Sequence, residues 1–333
     1  MIIMLTVLIL LVVLVNGWTD APNAIASCVS THSLSPSSAL TLASACNFVG
    51  AVGMALISPR VAKTLYGIVD FGDDPRSALC ALCAGLCAVV MWATVAWRFG
   101  LPTSESHALI SGITGAAIAN RMSLDAVNFE QWRLVLIGLV STTLPAFLLG
   151  LVFYKALIFI LRSLPRRNVM RHFYRAQRIS AASSALLHGA QDSQKFMGVY
   201  MLGLSIYSKN YHSSDSIPIE IVLICAGVMT LGTMLGGSRI IKKVGCDMTD
   251  LDAVGGSASD SASSAVLFIC SCFGIPASTT HSKACAIMGT GLCKRGGVDL
   301  RIVGQMVSAW ALTFPICTAL GFLLSLMMSV GFK

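Results

Sequence analysis

Charge is what this 333-residue sequence has least of: 11% of its residues are charged, against 55% that are hydrophobic. A mean hydropathy of +0.78 with so few charges excludes a soluble globular domain. The uncharged windows Ser37–Ile57, Leu134–Tyr154, Ile221–Ser238 and Ile302–Val330 are long enough to cross the roughly 30 Å of a bilayer's hydrocarbon. The opening segment, Met1–Val15, lacks the basic leader and small-residue cleavage site of a signal peptide, so a retained membrane helix is expected there. Acidic residues are missing from the stretch holding Arg162, Arg166, Arg167, Arg171, Arg175 and Arg178, which concentrates the net charge of +8. Lying between two membrane-type halves, this patch points to the cytoplasmic side and to anionic membrane lipids, and away from nucleic acid. Twelve cysteines are present, but Cys80, Cys83 and Cys87 have no His or acidic residue beside them. In such a helix Cys acts as a small apolar side chain, so neither a metal site nor a disulfide framework is expected. No nucleophile or metal constellation can be assembled either, which speaks against an enzyme.

What is present is duplicated. Phe99-Gly-Leu-Pro-Thr-Ser-Glu-Ser-His107 returns as Phe273-Gly-Ile-Pro-Ala-Ser-Thr-Thr-His281, with five of nine positions identical and 174 residues between the copies. Asn16-Gly-Trp-Thr-Asp-Ala-Pro-Asn23 is echoed 172 residues on by His188-Gly-Ala-Gln-Asp-Ser-Gln-Lys195, and Thr143-Leu-Pro145 170 residues on by Thr313-Phe-Pro315. Each marker interrupts or follows an apolar segment, and they recur in one order. The expected organisation is a first membrane repeat over 1–161, a basic cytoplasmic linker over 162–178 and a second membrane repeat over 179–333. Counted this way each half holds five membrane elements, and an odd number turns the second half upside down. The fold expected is an all-α polytopic membrane protein of two inverted-topology repeats, with discontinuous helices and re-entrant hairpins.

The markers also carry the chemistry. Pro blocks helix continuation, while Ser and Thr cap the next helix and leave its first N–H groups facing outward, which suits an oxyanion. Thr103, Ser104 and Ser106 with Ser278, Thr279 and Thr280 are therefore the candidate anion contacts, provided the halves pack about a pseudo-two-fold axis. Asp20 and Asp192 hold equivalent places at membrane depth, where an ionisable residue usually faces a cavity or partner. An unwound helix at Asp20 and Asn23 offers carboxylate, amide and carbonyl oxygens to a driving cation. His107 and His281 could relay protons or simply hold the breaks by hydrogen bonding. Lys195 and Lys283 have no first-half charge opposite them. They could neutralise an anion, take the place of a cation, or snorkel to the interface.

Together these motifs resemble the inorganic phosphate transporter (PiT) family, which duplicates a Gly-x-Asn-Asp-type signature and carries a Pro-x-Ser-Thr-Thr-His segment. The resemblance implies symport of inorganic phosphate with protons or sodium by alternating access, with no other cofactor. It implies Asp20, Asn23 and Asp192 as cation residues, and Ser104, Ser106, Ser278, Thr279 and Thr280 as phosphate contacts. Thr19 and Gln191 depart from the signature, standing where it has Asn, and Lys195 stands opposite Asn23. An ammonium has donors and no acceptor, so a second-half cation site weakened or replaced by Lys195 is expected. A sulfate symporter on the same scaffold and a passive anion channel are the alternatives. A cell-membrane location follows, and assembly into a homo-oligomer is left open.

Overall fold

The computed structural model describes residues 1–208 and 216–331. Thirteen α-helices are seen among them, and the strand-like pairing is confined to an isolated bridge between Val69 and Val127. The first half contains α1 (Ile2–Thr19), α2 (Ala26–Ser30), α3 (Pro36–Ile57), α4 (Arg60–Tyr66), α5 (Pro75–Arg98), α6 (Glu105–Arg121) and α7 (Phe129–Leu161). The second contains α8 (Arg166–Tyr207), α9 (Ile219–Met234), α10 (Ser238–Ile241), α11 (Ala253–Phe273), α12 (Thr279–Gly291) and α13 (Leu300–Gly331).

Among the described residues, five stretches are long and apolar enough to cross a membrane, or six if α9 and the segment after it, bent by 71°, form one span. The five are Ile2–Ser30, Pro36–Ile57, Pro75–Arg98, Phe129–Leu161 and Leu300–Val330. The protein is thus a multi-pass membrane protein. The remaining long helices, α8 and α11, fall short because they carry buried polar residues, among them Gln191, Asp192, Lys195, Ser259 and Asp260.

Two helical hairpins define the interior. Ser77 at the start of α5 bonds Asn120 at the end of α6, so the α5–α6 pair enters and leaves at one end of the bundle. In the second half, Asp252 before α11 pairs with Lys294 just beyond α12 at 3.2 Å. Gly100 (φ +65°) and Gly274 (φ +71°) close the outgoing helices in the left-handed conformation that favours glycine. Pro102 and Pro276 then keep the chain extended until Ser104 and Ser278 cap α6 and α12. Both expected re-entrant tips are therefore present.

Packing exchanges the halves. Hairpin helix α6 lies on α13 and α12 lies on α7, while α1 packs on α9 and α8 on α3. A Cβ on Gly17 would overlap the Met229 carbonyl oxygen, and one on Gly189 would overlap that of Asn47, so the same motif glycine makes the same close approach in each half. Arginines from connecting segments hold the tips reciprocally: Arg60 donates to the Cys272 carbonyl at 2.7 Å and Arg239 to that of Arg98 at 2.9 Å. This reciprocity is compatible with an inverted duplication.

One expectation fails. The His188–Lys195 marker does not interrupt a helix: α8 runs unbroken from Arg166 to Tyr207 and takes in most of the basic stretch expected as a linker. The first marker does break, with a 3₁₀ turn over Ala21–Ile25 between α1 and α2. Pro22 stands in that turn, and Gln194 stands at its second-half counterpart. Gln supplies the backbone N–H that Pro lacks, so the second helix continues.

Candidate functional site

The two tips meet inside the bundle. Ser104 Oγ accepts from the His107 N–H at 3.3 Å and Ser278 Oγ from the His281 N–H at 3.2 Å, which fixes two equivalent helix starts. The histidines one turn on face each other, with ring centroids 4.8 Å apart in an edge-on arrangement. From α13, Phe314 stacks on His107 and Trp310 tilts over His281, while the Trp310 indole donates to the Pro102 carbonyl at 2.9 Å. No ring nitrogen of either histidine has a partner among the described residues, although both side chains are buried. Among the described residues, then, their side chains make no hydrogen bond that would hold the breaks.

The expected hydroxyls gather beside them, all buried, and Thr103 lies buried on the first tip. Ser106 Oγ accepts from Lys195 Nζ at 2.6 Å. Thr279 donates to Asp192 at 3.2 Å and to Asp20 at 3.4 Å, and Thr280 donates to Asp20. Thr279 thus bridges the two marker aspartates. The ligand atoms of Asp20, His188 and Asp192 lie within 4.8 Å of one another, a compact set able to hold a cation. Asn23 donates to Asp20 Oδ1 at 2.8 Å and to Thr280 Oγ1 at 3.3 Å, leaving its side-chain amide oxygen Oδ1 without a partner among the described residues.

The lysines do not snorkel. Lys195 is 1% and Lys283 2% exposed, and each is paired with a carboxylate. Gln191 takes a supporting role: its amide donates to Ser271 Oγ at 2.9 Å and accepts from the Ala277 N–H at 3.3 Å, fastening the second tip to α8.

Four further residues belong to the site. Glu105 is buried on the first tip, bonded to Thr19, with one carboxylate oxygen unpartnered. His188 is held between Asn47 at 3.2 Å and Asp192 at 3.3 Å, and Asn16 donates to Asp192 at 3.3 Å. Glu105, Asn16 and His188 lie inside the duplicated motifs, so their placement was readable. Asp260, partner of Lys283, lies in a run of small residues with no motif to mark it.

The sequence pattern of the phosphate transporter family matches residues 16–321, 306 of the 333. This chain belongs to the phosphate transporter family. Among its relatives, a probable low-affinity inorganic phosphate transporter of Bacillus subtilis (strain 168) is 34% identical over 325 residues, covering 96% of both chains. A protein of the same description from Mycobacterium leprae is 33% identical over 307 residues, covering 92% of this chain and 73% of its own. In three dimensions this family member is similar to a solved structure titled as the sodium-dependent phosphate transporter. The TM-score is 0.83, with 20% identity and 99% of each chain covered. At that identity the likeness shows the fold alone.

Proposed function

We propose that the protein is a secondary active symporter that takes up inorganic phosphate with a cation by alternating access. The observation that carries this reading is the meeting of two Ser-capped helix starts, with unpartnered histidine donors, beside the Asp20–His188–Asp192 set. Helix starts offer N–H donors and partial positive charge to an oxyanion, and Asp20, the aspartate of the set without a lysine partner, attracts a cation to the same place. Bound together, anion and cation lower each other's cost of leaving water, which is the physical root of coupling. The driving cation is a proton or sodium. Phosphate is preferred to sulfate because Glu105 offers a spare acceptor, and at neutral pH only phosphate has a proton to donate to it.

Access alternates when the broken α1–α2 segment and the tips rock against the long helices, the halves acting as inverted repeats. The exposed Arg162, Arg167, Arg171, Arg175 and Arg178 lie on the cytoplasmic side of the cell membrane against anionic lipid. The test is uptake of labelled phosphate into proteoliposomes under an imposed sodium or proton gradient, with sulfate as competitor. Gradient-dependent, saturable uptake resistant to sulfate is expected. Gradient-independent flux would mean a passive channel, and equal competition by sulfate would remove the selectivity.

A further inference from the structure

Lys195 Nζ meets Asp192 Oδ1 at 2.5 Å, Ser106 Oγ at 2.6 Å and the Ala277 carbonyl at 2.5 Å. Lys283 Nζ meets the Ala24 carbonyl at 3.0 Å, Ser27 Oγ at 3.2 Å and Asp260 Oδ1. The two shells have one composition: a carboxylate, a hydroxyl and a backbone carbonyl from a helix break or tip. Oxygens of these kinds also surround hard cations where membrane helices unwind. An ammonium has three N–H donors, and in each lysine three protein oxygens take them. None is left over for an anion, which removes these lysines from the direct phosphate contacts.

The first half shows the contrasting case. Asn23 occupies the position equivalent to Lys195 and bonds Asp20 and Thr280, as Lys195 bonds Asp192 and Ser106. Where the lysine brings a charge, Asn23 brings an acceptor, and that acceptor is unpartnered at 2% exposure. Asn16 Oδ1 and Glu105 Oε2 are also unpartnered and buried in this half. Beside Asp20, then, three acceptors stand open, whereas the Asp192 carboxylate is taken up by Lys195. The buried Gln194 Oε1, one residue before that lysine, is also unpartnered, but the carboxylate next to it already holds the Lys195 ammonium.

We propose that Lys195 and Lys283 are built-in cations filling two oxygen shells of the kind sodium takes, so that one exchangeable cation, at Asp20 and Asn23, accompanies each phosphate. This rests on the symport reading. Covalently tethered, the two ammoniums cannot be released, and they bring no driving force of their own. They neutralise Asp192 and Asp260 throughout the cycle, and the gradient acts through the first-half shell.

The experiment measures cations moved per phosphate, from reversal potentials and labelled uptake, in proteoliposomes of the full chain with sodium and proton gradients imposed separately. Wild type should move one. Lys195→Asn, which rebuilds the Asn23 shell in the second half, should move two, and Lys283→Asn should likewise gain one. A wild type that moves two or more overturns the proposal, whether or not any variant folds. So does a folded Lys195→Asn protein whose count stays at one, or whose phosphate Kd rises more than tenfold with the count unchanged, since the lysine would then serve the anion. A wild type that moves no phosphate at all defeats the symport reading instead.

Discussion

The two halves descend from one pattern of motifs and use their polar residues differently. At the marker positions the first half has Pro22, Asn23 and a broken helix, whereas the second has Gln194, Lys195 and a continuous one. Carrying the 174-residue offset along the hairpins, Leu86 and Leu109 stand where the second half has Asp260 and Lys283. Both leucines are fully buried in an apolar cluster, whereas the Asp260–Lys283 pair ties α11 and α12 to the first break at Ala24 and to Ser27 in α2. The first half thus combines a broken helix with open acceptors at Asn23, Asn16 and Glu105, and the second an unbroken helix with lysine-paired carboxylates. On the proposal above, the exchangeable cation belongs to one side of a frame whose motifs occur twice.

The most damaging way to break this comparison is to orphan the second half's ion pair. Asp260→Ala leaves the Lys283 ammonium buried without its carboxylate, and a loss of about 3–5 kcal/mol is expected in denaturation of the purified protein. Asp260→Leu combined with Lys283→Leu copies the first half and should recover most of that loss. Next comes Asn23→Lys, which gives the first half the second half's charge. Gradient-driven phosphate uptake should fall about 100-fold, near 2.7 kcal/mol, because no shell is left for an exchangeable cation. Gly17→Ala and Gly189→Ala test the symmetry itself. Each pushes a methyl into backbone of the opposite half, and each should destabilise by about 1–3 kcal/mol, to matching extents. The smallest effect is expected for Cys83→Ser, which gives α5 the residue that α11 has at Ser257. A buried hydroxyl satisfied by its own helix should cost about 1 kcal/mol and leave uptake unchanged.

Much of this was readable from the chain. Paired Phe-Gly-x-Pro motifs with Ser two residues on dictate a helix stop, an extended tip and a capped restart, and both tips have that form. Asp20 and Asp192 were conspicuous as charges in apolar surroundings. The continuity of α8 was hidden because Gly189 and its polar neighbours look like a break, while the deciding feature is the lack of a proline. Asp260 was hidden because a small-residue run gives no hint of what faces it, and its partner lies 23 residues on, across the hairpin. The histidine pair could be placed but not interpreted, since their missing partners emerge only from packing against α13.

The central claim is that the two tips build one phosphate site together. Equilibrium phosphate binding to purified wild type, Ser104→Ala, Ser278→Ala and the double variant tests it most directly. Losing either cap should weaken binding about tenfold, near 1.4 kcal/mol, and to the same degree from each half, because both helix starts face one anion. Binding that depends on one serine and ignores the other, or that ignores both, would contradict a shared site.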